Sequence, residues 1–108
     1  MNAKSLVLLV VRSEPNDPAM LDRYHRWYED HIRKLLSVDG VLSARRFESV
    51  EGDLRFMAVY EIRDMSVFDS PEYRAVGRFG EMERHVRYTR NVYRETPTGP
   101  SSMISDSR

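Results

Sequence analysis

Apolar and polar positions change their rhythm several times along the chain. Residues 6–11 are apolar without alternation, which predicts a strand covered on both faces. The stretch SEPNDP that follows reads as a turn and a helix start, with Asp17 placed to cap and Pro18 suited to the first helical position. From there the period is helical to about residue 38, and the Asp39–Gly40 pair ends it. Residues 41–50 predict a strand, residues 51–53 a tight hairpin, and residues 54–62 the returning strand. In that strand Phe56, Ala58, Tyr60 and Ile62 share one face, and Met57 and Val59 the other. Residues 65–69 predict a short helical turn. Ser70 as cap, Pro71 at the first position and Glu72 near the positive end of the dipole then open a second long helix, to about residue 86. Residues 88–95 predict a last strand.

This order, β-α-β-β-α-β, is the ferredoxin-like α+β topology: a four-stranded antiparallel sheet with two helices on one face. Residues 1–96 read as one domain. Residues 97–108 lack periodicity, are rich in Ser and Pro, and read as a flexible tail. The second face of the sheet carries apolar residues from the first and third strands and has no helix to cover it. A bare apolar sheet predicts a homodimer in which two sheets face each other.

Composition narrows the classes of function. The chain has 108 residues, 41% hydrophobic and 31% charged, as expected of a globular domain. Lys+Arg and Asp+Glu both number 17, so there is no basic field for nucleic acid and no polybasic membrane surface. Cysteine is absent, which excludes disulfides, thiolate nucleophiles and sulfur-based zinc sites. Residues 5–11 are too short to span a bilayer and no cleavage site follows them, so a cytoplasmic protein is expected.

The chemistry concentrates in YHRWYEDHIRKLL, the first predicted helix. On a helical wheel Leu21, Tyr24, Tyr28, Ile32, Leu35 and Leu36 form an apolar arc, and the charged residues fall opposite. His31 lands inside the arc between Trp27 and Tyr24, and His25 on its other border. Trp27, Tyr24, Tyr28 and His31 together are the mix expected in a small-molecule pocket. The alternative for His31 is a core histidine satisfied by one backbone carbonyl. In the second predicted helix Val76, Phe79, Met82 and Val86 define the apolar face, and Glu83 falls between Val76 and Phe79 on the wheel. A buried Glu83 would be an acid or base; a rim Glu83 would pair with an Arg. Tyr60 and Arg46 are the strand candidates. No metal site is expected: His25 and His31 are six residues apart and diverge on the helix.

The segment WYEDHIRKLLSVDGVLSARRFE resembles small bacterial proteins of the dimeric α+β barrel superfamily, which share a W-Y-x-x-H…L…P-G-V…A-x-R-F run. EthD-like members carry a related histidine-helix pattern, and AVYEIRD and FDSPEYRA also look like that group. Here Asp39 stands where Pro is common, and Ile32 where a second His often follows. The resemblance implies a homodimer of ferredoxin-like subunits, each with a pocket between helices and sheet. It implies chemistry on aromatic or otherwise apolar small molecules, by cofactor-free monooxygenases, cyclases, isomerases, dehydratases or heme-degrading enzymes.

Two readings of function follow. One is a cofactor-free enzyme of isomerase, dehydratase, cyclase or monooxygenase type, with His31 as general acid/base and Tyr28 and Glu83 as further catalytic candidates. Tyr24, Trp27, His25, Tyr60, Arg46 and Phe79 would bind the substrate. The other is a non-catalytic dimer that binds a small ligand or serves a structural role. The discriminating feature is whether His31 and a Tyr or Glu83 face one void, or His31 is spent on a carbonyl in a filled core.

Overall fold

A computed structural model of the chain describes residues 6–97. Four strands, β1 (Val7–Pro15), β2 (Val41–Glu48), β3 (Phe56–Ile62) and β4 (Val86–Arg94), form one antiparallel sheet in the order β2-β3-β1-β4. This is the ferredoxin-like arrangement. The expected tail lies almost wholly outside the described residues, beyond residue 97. Among the described residues no helix is long and apolar enough to cross a membrane.

The first helix, α1 (Leu21–Leu36), is entered through a 3-10 turn, Pro18–Met20, whose cap is Asp17: its carboxylate accepts from the Ala19 amide at 2.9 Å. Gly40 then takes a φ of 93° and packs its bare Cα against Val67, where a side chain has no room. Asp39, beside it, accepts from the Arg63 guanidinium at 3.2 Å.

Strand alternation sets the two faces of the sheet. Val7, Leu9 and Ser13 of β1 and Phe56, Ala58, Tyr60 and Ile62 of β3 are buried beneath the helices. They pack with Tyr24, Tyr28 and Leu35 of α1 in a single core. The opposite face carries Leu8, Val10, Met57 and Val59, with Phe47 and Tyr93 on its outer strands. The expectation that β1 is covered on both faces does not hold within one chain: Leu8 is exposed.

The larger correction concerns the second helix. A continuous helix from Pro71 to about residue 86 was expected. Instead α2 is Pro71–Val76, followed by a break and a separate 3-10 segment, Gly80–His85. The break has a local cause. Gly80 adopts a φ of 59°, in the left-handed region. At Gly77 the Tyr73 ring lies within 2.7 Å of where a Cβ would stand, so the chain turns over that ring. The wheel that set Glu83 beside Val76 and Phe79 assumed an unbroken period, and it does not apply.

Candidate functional site

The helix break leaves room above the sheet. A cavity of about 510 Å³ opens there, within the size range of small-molecule sites. Val11 of β1, Tyr60 of β3 and Tyr88 and Arg90 of β4 line it from the sheet. Trp27, Tyr28 and His31 line it from α1, and Phe68, Tyr73, Arg74, Gly77, Arg78 and Phe79 complete its wall and mouth.

One wall is a stack of rings. The spacing of four residues puts Trp27 and His31 on one face of α1, with ring centres 4.3 Å apart and planes inclined by 18°. Phe79 also stacks on Trp27, at 5.0 Å and 21°. Tyr28 meets both His31 and Phe79 edge-on at 6.0 Å. Among the described residues none forms a hydrogen bond with the His31 ring nitrogens. Burial pushes the imidazole down to about 4, the Lys34 charge adds to this, and Asp30 opposes it. His31 is therefore neutral at physiological pH, with one nitrogen able to accept a proton and the other to donate.

The tyrosines differ from one another. Tyr24 is fully buried, and its hydroxyl shares a hydrogen bond of 2.6 Å with Ser13 Oγ. It also donates to the Ser13 carbonyl at 3.4 Å. Tyr28 reaches Ser13 Oγ at 3.3 Å. One consistent direction runs through this chain. Tyr28 donates to Ser13, Ser13 to Tyr24, and Tyr24 to the carbonyl. The Tyr28 proton is then spent on Ser13. Tyr60 lines the same cavity, and its hydroxyl has no hydrogen-bond partner among the described residues. Burial raises the titration of all three phenols above the ordinary range, so each stays protonated.

Behind Tyr28, away from the cavity lining, lies a second polar group. Arg46 of β2 sets its guanidinium 4.5 Å from the centre of the Tyr28 ring, 5.5 Å from Phe56 and 5.6 Å from Tyr24. Its Nη1 donates to His25 Nδ1 at 3.1 Å, while Nη2 is buried without a partner among the described residues. Burial lowers the His25 titration, and the Arg46 and Arg55 charges lower it further.

Of the residues singled out from the sequence, His31, Tyr28, Trp27, Tyr60 and Phe79 thus meet at one cavity. Tyr24 lies behind it, and His25 and Arg46 pair on the far side of Tyr28. Glu83 is exposed and borders only a shallow surface depression with Gly80, Glu81 and Arg84. Sequence reasoning missed Ser13, Tyr73, Tyr88 and the arginines Arg74, Arg78 and Arg90. Tyr88 and Arg90 had a signal: they fall between Val86 and Val92 on a strict alternation. Among the described residues no three His, Asp or Glu side chains converge as a metal site would need.

No protein-family model matches the sequence, and no curated protein matches it. Solved structures do resemble the fold. A dabb family protein with a ferredoxin-like fold from Mesorhizobium loti is 17% identical, with a TM-score of 0.68 over 89% of this chain and 100% of the other. SnoaB, a cofactor-independent oxygenase from Streptomyces nogalater, is 10% identical, with a TM-score of 0.68 over 90% and 99%. Rv0793 from Mycobacterium tuberculosis is 19% identical, with a TM-score of 0.64 over 90% and 99%. At such distances in sequence the likeness is one of architecture: the chain has a ferredoxin-like fold, as these proteins do.

Proposed function

We propose that the protein is a cofactor-free enzyme that moves protons on an aromatic or otherwise apolar small molecule. The observation that carries this reading is the place of His31. It is stacked on Trp27 in the wall of a cavity of about 510 Å³, with ring nitrogens that no described residue occupies. A neutral imidazole there, a weak base with a titration held down to about 4, accepts a proton from an acidified carbon or oxygen and returns it elsewhere on the same molecule, as isomerisation, dehydration or ring closure requires. Tyr60 has a phenol proton free to meet an oxygen that gains charge. Tyr28, whose proton goes to Ser13, shapes the cavity. That SnoaB is a cofactor-independent oxygenase of the same fold is in keeping with such a role.

The reading is tested by deuterium exchange. The protein is incubated in D2O with a panel of aryl-fused ketones and aromatic keto acids, and exchange at the activated methylene is followed by proton NMR. Catalysed exchange that is lost in His31→Gln supports the reading. No exchange above buffer across the panel removes it and leaves the second reading, a ligand-binding role. One observation favours that second reading. Catalytic imidazoles are commonly oriented by a carboxylate or carbonyl, and none among the described residues orients His31.

We also propose that two copies pair through the open sheet face. Leu8, Val10, Met57 and Val59 form a contiguous apolar strip there, and such a strip is costly to leave in water.

A further inference from the structure

The cavity has a sign. Its lining includes Arg74, Arg78 and Arg90 and no Asp or Glu, in a chain whose acidic and basic residues are equal in number. Arg74 has an exposed partner, Asp69, at 3.7 Å. Among the described residues neither Arg78 nor Arg90 has a carboxylate within ion-pair distance. Solvated arginines on a rim are common, and Arg78 alone would mean little. Arg90 differs because it is held. It stands on β4 opposite Val11, on the face of the sheet that lies beneath the helices. Its Nη2 donates to the Tyr73 hydroxyl at 3.1 Å, and its guanidinium carbon lies 5.3 Å from the centre of the Phe68 ring. These contacts fix the plane of the guanidinium and leave its charge uncancelled.

We propose that the molecule taken by the cavity is an aromatic carboxylate, its ring against Trp27 and its carboxylate on Arg90 and Arg78. This inference names the substrate class for the function proposed above and rests on it. A guanidinium offers two parallel N–H groups that match the two oxygens of a carboxylate. The ring stack supplies the flat apolar surface. A neutral aromatic would use that wall and leave two charges unanswered. An anion would also meet a neutral His31 and a protonated Tyr60, neither of which repels it.

The chain's single tryptophan lies in the cavity wall, so its one indole N–H signal reports occupancy directly. The probes are 2-naphthoate and its neutral analogue 2-naphthamide, titrated at low salt and followed by that signal. The expected result is that 2-naphthoate binds at least about tenfold more tightly. The preference should shrink at high salt. In Arg78→Gln/Arg90→Gln it should fall to within about twofold, with naphthamide binding retained. Equal binding of the two probes by the natural protein, or a preference that survives both high salt and the double substitution, overturns the inference and leaves the cavity a small-molecule site. The salt series needs no variant, so poor folding of the double variant does not leave the inference untested. If neither probe moves the Trp27 signal, the inference falls, and the function it rests on is decided separately by the exchange panel.

Discussion

The imidazole of His31 lies almost parallel to the indole of Trp27, their centres 4.3 Å apart. A protonated imidazole would gain from the π face of the indole. Burial nevertheless dominates and holds the ring down to about 4. Trp27 supplies part of that burial. Replacing it with Ala should admit water to His31 and raise its titration toward the ordinary value for histidine, as read by NMR. A His31 that titrates unchanged in Trp27→Ala would show that the indole does not shield it.

The same shift makes folding depend on pH. In the unfolded chain histidine titrates near about 6.5, and in the folded chain His31 does so at about 4. Between these values the unfolded state binds the extra proton. The stabilisation is complete above about pH 6.5 and is lost as pH falls toward 4, by no more than about 3 kcal/mol. His25 is lowered too and adds in the same direction. Urea denaturation at pH 7 and pH 5, where most carboxylates remain ionised, should show this loss, and His31→Gln should reduce it. An equal loss in that variant would assign the effect elsewhere.

Among the described residues Ser13 is the one buried polar residue besides the tyrosines, and it joins Tyr24 to Tyr28. Ser13→Ala removes the donor to the Tyr24 hydroxyl and the acceptor for Tyr28, while Tyr24 keeps the residue-13 carbonyl, and should cost about 1–3 kcal/mol. Adding Tyr24→Phe removes a second member of the same network, so the double variant should be more stable than the sum of the single losses implies. Strict additivity in chemical denaturation would mean that the bond contributes nothing.

Arg46 separates charge from packing. Arg46→Met keeps a long apolar stem against Tyr28, Tyr24 and Phe56 and removes both the nitrogen bonded to His25 and the one without a partner among the described residues. Such an exchange should change stability by less than about 1.5 kcal/mol, whereas Arg46→Ala should cost more through lost packing. In the Met variant the His25 titration should rise, because the neighbouring cation that lowers it is gone. NMR titration of His25 checks the sign.

Pairing of two copies is tested at Val10, which faces Val59 across β1 and β3 on the open side of the sheet. Val10→Glu sets a charge in the middle of the apolar strip. By sedimentation equilibrium the natural chain should be a dimer at micromolar concentration and the variant a monomer of unchanged circular dichroism. A natural chain that sediments as a monomer would leave the strip without this explanation.

Much of this architecture is legible in the chain, residue by residue. The period of α1 sets His31 between Trp27 and Tyr24, and the alternation of β3 sets Tyr60 on one face with Phe56, Ala58 and Ile62, because one long helix and one regular strand keep their phase; that this face lies beneath the helices comes only from the structure. Glu83 was misplaced where phase is lost, at Gly77 and Gly80. At Gly77 the break also depends on where the ring of Tyr73, four residues earlier, is packed, which apolar periodicity does not give. Arg90 shares the Val86–Val92 alternation in the sequence, which gives its face and nothing of its role. Its importance comes from Tyr73 and Phe68, which lie far from it along the chain and next to it in space. Ser13 continues the Val7–Leu9–Val11 alternation, but its two phenolic partners belong to another element.

The interrupted segment after β3 has one more consequence. The cavity floor is carried by β1, β3, β4 and α1, whose long, regular elements supply most of the buried core. Its mouth is carried by three short helical segments, Met65–Asp69, Pro71–Val76 and Gly80–His85. Floor and mouth therefore belong to units of different local stability. The amides of the short segments should exchange with solvent through small openings, and those of the central strands only when the whole domain unfolds. A molecule can then enter and leave while Trp27, Tyr28 and His31, all on α1, stay in register.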